Sequence, residues 1–83
     1  MRKQRKIPRV EVTWDDSTSL NYGWLSLDEY LERRQPARCT SVGYLVYRDR
    51  RSLVLMMSQA DNDDVSDGLT IPVACVRRVQ HLR

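Results

Sequence analysis

Residues 39–58 hold two apolar runs in succession. Cys39 to Tyr47 is rich in Val, Tyr and Thr, and Leu53-Val54-Leu55-Met56-Met57 is apolar without a break. The polar segment Arg48-Asp49-Arg50-Arg51 lies between them. β-branched and aromatic residues bounded by turn chemistry predict a β-hairpin, with strands at 39–47 and 52–58. Alternation puts Val42, Tyr44 and Val46 on one face and Leu45 and Tyr47 on the other. A hairpin wetted on one side alternates apolar and polar more cleanly. Both faces therefore need cover, from the helix of this chain or from another subunit.

The rest of the chain supplies short partners. Val10, Val12 and Trp14 alternate with Arg9, Glu11 and Thr13, which predicts a half-buried strand over 9–14. Asp15-Asp16-Ser17-Thr18-Ser19 reads as a polar turn. Ser26 and Glu29 have the spacing of a capping box. Leu27, Tyr30 and Leu31 share one face, and Pro36 ends the segment, so a helix is expected over about 27–34 that needs a sheet to pack on. Residues 59–68 read as a mobile acidic loop. Leu69, Ile71 and Val73 predict a fourth strand, with Pro72 pointing to an edge or a bend. A 3₁₀ turn is expected at 74–77 and a closing strand at 79–82.

This order suits a mainly β fold: a small SH3-like barrel of about five strands, with one short helix in the first long connection. A ββ-sandwich or an α+β roll has the same elements. With 83 residues the chain is one small domain with a thin core. Residues 1–8 read as a basic flexible tail and 9–83 as the single β-barrel domain.

Charge separates these two parts. The net charge is +3, yet Arg2, Lys3, Arg5, Lys6 and Arg9 hold five positive charges in the first nine residues. The remainder has nine basic and eleven acidic side chains, so the pI describes the tail. A basic tail binds phosphate backbones through counterion release; it also serves simply as a solvated terminus. Twelve of the fourteen basic residues are Arg, whose planar fork suits phosphate and carboxylate.

The function classes narrow by elimination. Cys39 and Cys75 form no CxxC, and His81 is the single histidine, so a structural zinc site lacks its roughly four ligands. Buried free thiols in a reducing cytoplasm are the expectation for both cysteines. Aligned from Asp61 as a calcium loop, the acidic segment has Val65, Ser66 and Pro72 where ligands or glycine are needed. No Ser or Cys has an evident activating neighbour, and no phosphate-cradling glycine motif is present. The chain reads as non-enzymatic, with no cofactor and no metal. No apolar run approaches the roughly 20 residues of a membrane span, and the N-terminus lacks the pattern of a signal peptide.

What remains is binding chemistry. In Tyr22-Gly23-Trp24 a glycine separates two aromatics, and rings in an irregular loop stack on bases or anchor partners. For Trp24 the favoured role is a cap on the barrel core; stacking on a ligand is the other. Arg48, Arg50 and Arg51 form a basic hairpin tip, and Arg77 with Arg78 a second basic pair. In an SH3-like barrel both would flank one face beside Tyr22 and Trp24, a constellation suited to nucleotides or nucleic acid.

The runs Val10-Glu11-Val12-Thr13-Trp14-Asp15-Asp16-Ser17, Gly23-Trp24, Thr40-Ser41-Val42-Gly43-Tyr44-Leu45-Val46 and Ile71-Pro72 resemble a group of small, uncharacterised bacteriophage proteins. The resemblance spans about residues 9–82 and offers no catalytic residues. Small phage proteins of this kind often occupy something of the host, and some are oligomeric sponges for nucleotide signals of antiviral defence. The resemblance thus implies a self-associating, phage-type binding module in the host cytoplasm, sequestering an anionic, nucleotide-like ligand through Tyr22, Trp24 and the arginine pairs. The alternatives are a nucleic-acid binder using Arg2, Lys3, Arg5, Lys6 and Arg9 with the Arg-rich turns, and an inhibitor of a host protein.

Overall fold

A computed structural model describes residues 4–83; Met1, Arg2 and Lys3, and with them two of the five tail charges, lie outside the described residues. The elements run β1 (Arg9–Asp16), α1 (Leu27–Glu32), β2 (Ala37–Arg48), β3 (Ser52–Gln59), β4 (Val65–Pro72), a 3₁₀ turn (Val73–Cys75) and β5 (Val76–His81). All five strands join one antiparallel sheet in the order β4-β3-β2-β1-β5. The ladders do not join β4 to β5, so the sheet is open and both are edges.

β2 changes partner along its length. Its first part, 37–44, pairs with β1, and its last part, 44–48, pairs with β3. Tyr44 is the residue these two ladders share, opposite Arg9 on one side and Met56 on the other. A bulge at Val46 follows directly, between the Leu45–Leu55 and Tyr47–Val54 pairs, and bulges bend and twist a strand. Gly43 sits just before this crossing, where a Cβ would come within 2.8 Å of the Met56 carbonyl oxygen. The close approach of two backbones, rather than a special φ, requires glycine there.

The core lies on one face of the sheet. Val10, Val12, Leu53, Leu55 and Ile71 are buried, with Trp14, Leu45, Val73, Cys75, Val76 and Val79 packed against them. Val12 stands opposite Ser41 and Val79, and Leu53 opposite Ile71, so the expected alternation faces inward in register. Trp14 Nε1 donates to Ser41 Oγ at 3.0 Å, which satisfies the indole N–H inside this layer. The 3₁₀ turn carries the chain from one edge to the other and is tied by Val73 N–H to the Arg51 carbonyl at 2.9 Å.

Several boundaries differ from the sequence reading. β4 begins at Val65 and β3 runs to Gln59, so half of the expected 59–68 loop is strand and the connection shrinks to 60–64. Residues 65–70 of β4 are exposed and pair with β3 at the edge of the sheet. That two-stranded ribbon has no apolar pattern for sequence reading to detect. β5 starts at Val76 rather than 79, and α1 ends at Glu32 because Arg33 is already its cap. The helix has no buried residue and covers no face of the sheet. The radius of gyration is 17.2 Å, against about 12 Å for a compact chain of this length, so the protein is elongated.

Candidate binding surfaces

The β1–β2 connection is a self-supporting tip. Ser26 Oγ accepts from the Glu29 N–H at 3.2 Å, and the Glu29 carboxylate receives the Ser26 hydroxyl at 2.9 Å. This capping box sets the register of α1, which brings Tyr30 and Arg33 onto one side. The Tyr30 hydroxyl donates to the Gly23 carbonyl. The Tyr22 and Tyr30 rings lie 6.2 Å apart at 53°, and the Arg33 guanidinium sits 4.8 Å over the Tyr22 ring. Thr18 Oγ1 donates to the Gln35 carbonyl at 3.0 Å and closes the base.

These contacts leave Trp24 outside. Gly23 has φ +74°, a turn natural for glycine, and Trp24 is 102% exposed. The expectation that Trp24 caps the core is therefore wrong. The cap is Trp14, because the tip stands beyond the end of the sheet. Leu20, Tyr22, Leu27 and Leu31 are exposed around it.

The other nominated residues lie elsewhere. Arg48, Arg50 and Arg51 are exposed at the β2–β3 turn. Asp49 organises that turn: its Oδ1 accepts from the Arg51 and Ser52 N–H groups, each at 2.8 Å, and its Oδ2 from the Tyr47 hydroxyl at 2.8 Å. The two backbone donors and the phenol hold the Asp49 carboxyl below its ordinary range, while the hydrogen bond to Asp49 and its charge raise the Tyr47 phenol. Arg77 Nε is 3.1 Å from Asp15 Oδ2, and Arg38 Nε is 2.5 Å from Asp15 Oδ1, so one carboxylate bridges β2 and β5 across β1. Arg78 lies opposite Thr13. The arginine that meets a nominated aromatic is Arg33, which the sequence reading passed over. Its signal was the capping box, which fixes Arg33 one turn after Tyr30.

Two grooves that share Val42 and Met57 open beside β2 and β3. One, of about 300 Å³, is lined by Arg9, Val42, Gly43, Tyr44, Met57, Leu82 and Arg83. The other, of about 380 Å³, is lined by Ser41, Val42, Leu55, Met57, Asp67 and Leu69. Tyr22, Trp24, Arg48, Arg50, Arg51, Arg77 and Arg78 line neither groove. Val42 and Met57 border both and are 63% and 65% exposed.

The described part of the basic segment lies on the acidic connection. Gln4 Nε2 donates to the Ala60 carbonyl at 2.8 Å, Arg5 N–H to Asp63 Oδ1 at 2.9 Å, and Gln59 Nε2 to the Arg5 carbonyl at 2.9 Å. Asp63 takes φ +73° in doing so. Both cysteines are free thiols and half-buried. Among the described residues no cluster of His, Cys, Asp and Glu is placed to hold a metal ion, and no helix is long and apolar enough to cross a membrane. No known protein family, curated protein or solved structure matches this chain.

Proposed function

We propose that this chain is a non-enzymatic binding module that works through the apolar side chains its own core leaves uncovered, and that it associates with itself. One observation carries the reading. Among the described residues five hydrophobic side chains are buried, whereas eleven large ones are exposed. Exposed apolar groups that gather into patches, rather than scatter, mark interaction sites. Nine of the eleven fall in two places: Leu20, Tyr22, Trp24, Leu27 and Leu31 on the tip, and Val42, Met57, Leu69 and Leu82 on the grooves. Trp, Tyr and Arg are also the residues that dominate binding energy at protein interfaces. The finer fold reading is an SH3-like sheet, supported by the strand order and by the 3₁₀ turn between β4 and β5. On the resemblance to phage proteins, the module acts in the host cytoplasm, where a host protein is a further partner.

Native mass spectrometry of the protein purified from a bacterial host tests this. An oligomer, or a complex of fixed stoichiometry, is the expected result. A bare monomer at every concentration would remove the reading.

A second reading is sequestration of an anionic, nucleotide-like ligand. The nominated aromatics and arginines do not share a pocket, so its support shifts to the smaller groove, where Arg9 and Arg83 flank Tyr44. An adduct of nucleotide mass on the native protein, lost in Arg9→Ala, is its expected signature. The nucleic-acid reading of the basic segment predicts a salt-dependent affinity that falls on deletion of residues 1–8.

A further inference from the structure

The fold gathers six exposed arginines that lie far apart in the chain. Arg48, Arg50 and Arg51 stand at the β2–β3 turn. The Arg51 carbonyl accepts from the Val73 N–H at 2.9 Å. Arg77 follows Val73 by four residues, a span of at most about 14 Å. It is the extra residue of a bulge in β5, between Val76 opposite Trp14 and Arg78 opposite Thr13. Bulges re-aim side chains, and Arg77 meets Asp15, on the face of β1 that Thr13 shares. Arg38 meets Asp15 from β2. Arg38, Arg77 and Arg78 therefore share one face of the sheet, beside the arginine turn.

Three carboxylates stand among these six guanidiniums, and each is committed within the fold. Asp15 bridges Arg38 and Arg77, Asp16 accepts from the Ser17 N–H, and Asp49 holds the turn. Arg48, Arg50, Arg51 and Arg78 form no ion pair among the described residues. Glu11 continues the Thr13 face, and Arg9 beyond it balances that charge. The β1–β2 connection is negative by one, with Asp28, Glu29 and Glu32 against Arg33 and Arg34. The arginine region is thus positive by three, although residues 10–83 together are negative by two.

The compensating acids are elsewhere. Asp61, Asp63 and Asp64 lie in the β3–β4 connection, at the other end of β3 from the arginine turn. Seven residue steps of strand put about 23 Å between those ends. The basic N-terminal segment runs over that acidic connection, through Gln4 to Ala60 and Arg5 to Asp63. Its charges therefore stand beside acids of their own chain, whereas the arginine region has an excess. The arginines also line neither groove, so they suit a long anion laid across them better than a small one enclosed. A duplex carries one phosphate charge per about 1.7 Å of its axis, and each guanidinium fork matches a phosphate.

We propose that this arginine region binds the phosphate backbone of a nucleic acid without reading its bases. The inference rests on the nucleic-acid reading and moves its contacts from the basic segment to the end of the molecule that holds the β2–β3 turn and Asp15.

The test measures fluorescence anisotropy of a labelled 20-base-pair DNA over a potassium chloride series, with the full-length chain. Arg50→Gln with Arg78→Gln removes two arginines that have no ion pair, and circular dichroism verifies the fold. Arg5→Gln with Lys6→Gln is the matched change in the basic segment; Arg5 holds its place there through its backbone. The wild type is expected to bind two duplexes of unrelated sequence alike, more weakly as salt rises. The arginine pair variant should bind at least about 10-fold more weakly, and its slope of log affinity against log salt should be shallower by about 2. The basic-segment variant should keep the wild-type slope. If the slope falls in the basic-segment variant and stands in the arginine variant, the region is wrong while the nucleic-acid reading survives. A strong preference for one duplex, or equal competition by poly-glutamate, overturns the phosphate assignment. A wild type that binds no nucleic acid at low salt overturns both.

Discussion

Gly43→Ala sets two known effects of opposite sign against each other at the point where β2 changes partners. The new methyl would lie 2.8 Å from the Met56 carbonyl oxygen and 3.3 Å from Leu55 Cβ. The first neighbour is backbone in the β3 ladder, and the second belongs to a core side chain 4% exposed. Neither moves aside without disturbing the ladder or the core. Forcing an extra methyl into such a site costs about 1–3 kcal/mol. The backbone φ of Gly43 is not in the left-handed region, so alanine adopts it freely. The stiffer unfolded chain then returns about 0.4–1 kcal/mol. The crowding wins, with a net loss of about 1–2 kcal/mol. Domains of this size have about 4–12 kcal/mol in all, and each kcal/mol moves the midpoint by about 4–8 °C. Thermal unfolding followed by circular dichroism should therefore show a drop of roughly 5–15 °C. A midpoint equal to or above the wild type would refute the reasoning, because it would mean that β2 and β3 do not approach as closely as the crossing requires.

Four further outcomes follow from burial and hydrogen bonding. Leu53→Ala empties a fully buried site in a core of five buried residues and should cost about 2.7–5 kcal/mol in urea unfolding. Trp24→Ala, at a fully exposed site, should change stability by less than about 0.5 kcal/mol; a larger loss would place the indole against the fold. The depressed carboxyl of Asp49 contributes stability above the ordinary aspartate range, and it is lost as pH falls through the lower folded value. Asp49→Asn should flatten that acid limb of the stability–pH curve. Tyr47 works in the opposite sense. Its phenol is raised in the fold, so its contribution is complete below the ordinary tyrosine value and declines as pH rises toward the folded one. Tyr47→Phe should remove that alkaline decline.

The sequence carried the local structure wherever the signal was short-range. The capping box at Ser26 and Glu29 placed α1, because its hydrogen bonds span three residues. The alternation from Arg9 to Trp14 placed β1 and its inward face, and Arg48-Asp49-Arg50-Arg51 marked the β2–β3 turn. The early start of β4 was not legible, since Val65, Ser66, Asp67 and Gly68 have no β pattern and become strand by pairing with β3. The candidate site was legible in part. Tyr22 and Trp24 stood out as aromatics in an irregular segment, but the arginines nominated beside them belong to other regions.

Sequence by itself determined a mainly β chain of five short strands, with more apolar surface than one thin core takes up. Only the tertiary structure decided which of that surface is covered. Covering depends on contacts between residues far apart in the chain, and here those contacts are set by where β2 leaves β1 for β3. That crossing closes the core over Val10, Val12, Leu53, Leu55 and Ile71 and opens the grooves at Val42 and Met57. It also leaves the β1–β2 connection with no sheet face to lie on. Trp24 is therefore outside for a topological reason that no local pattern around it could convey.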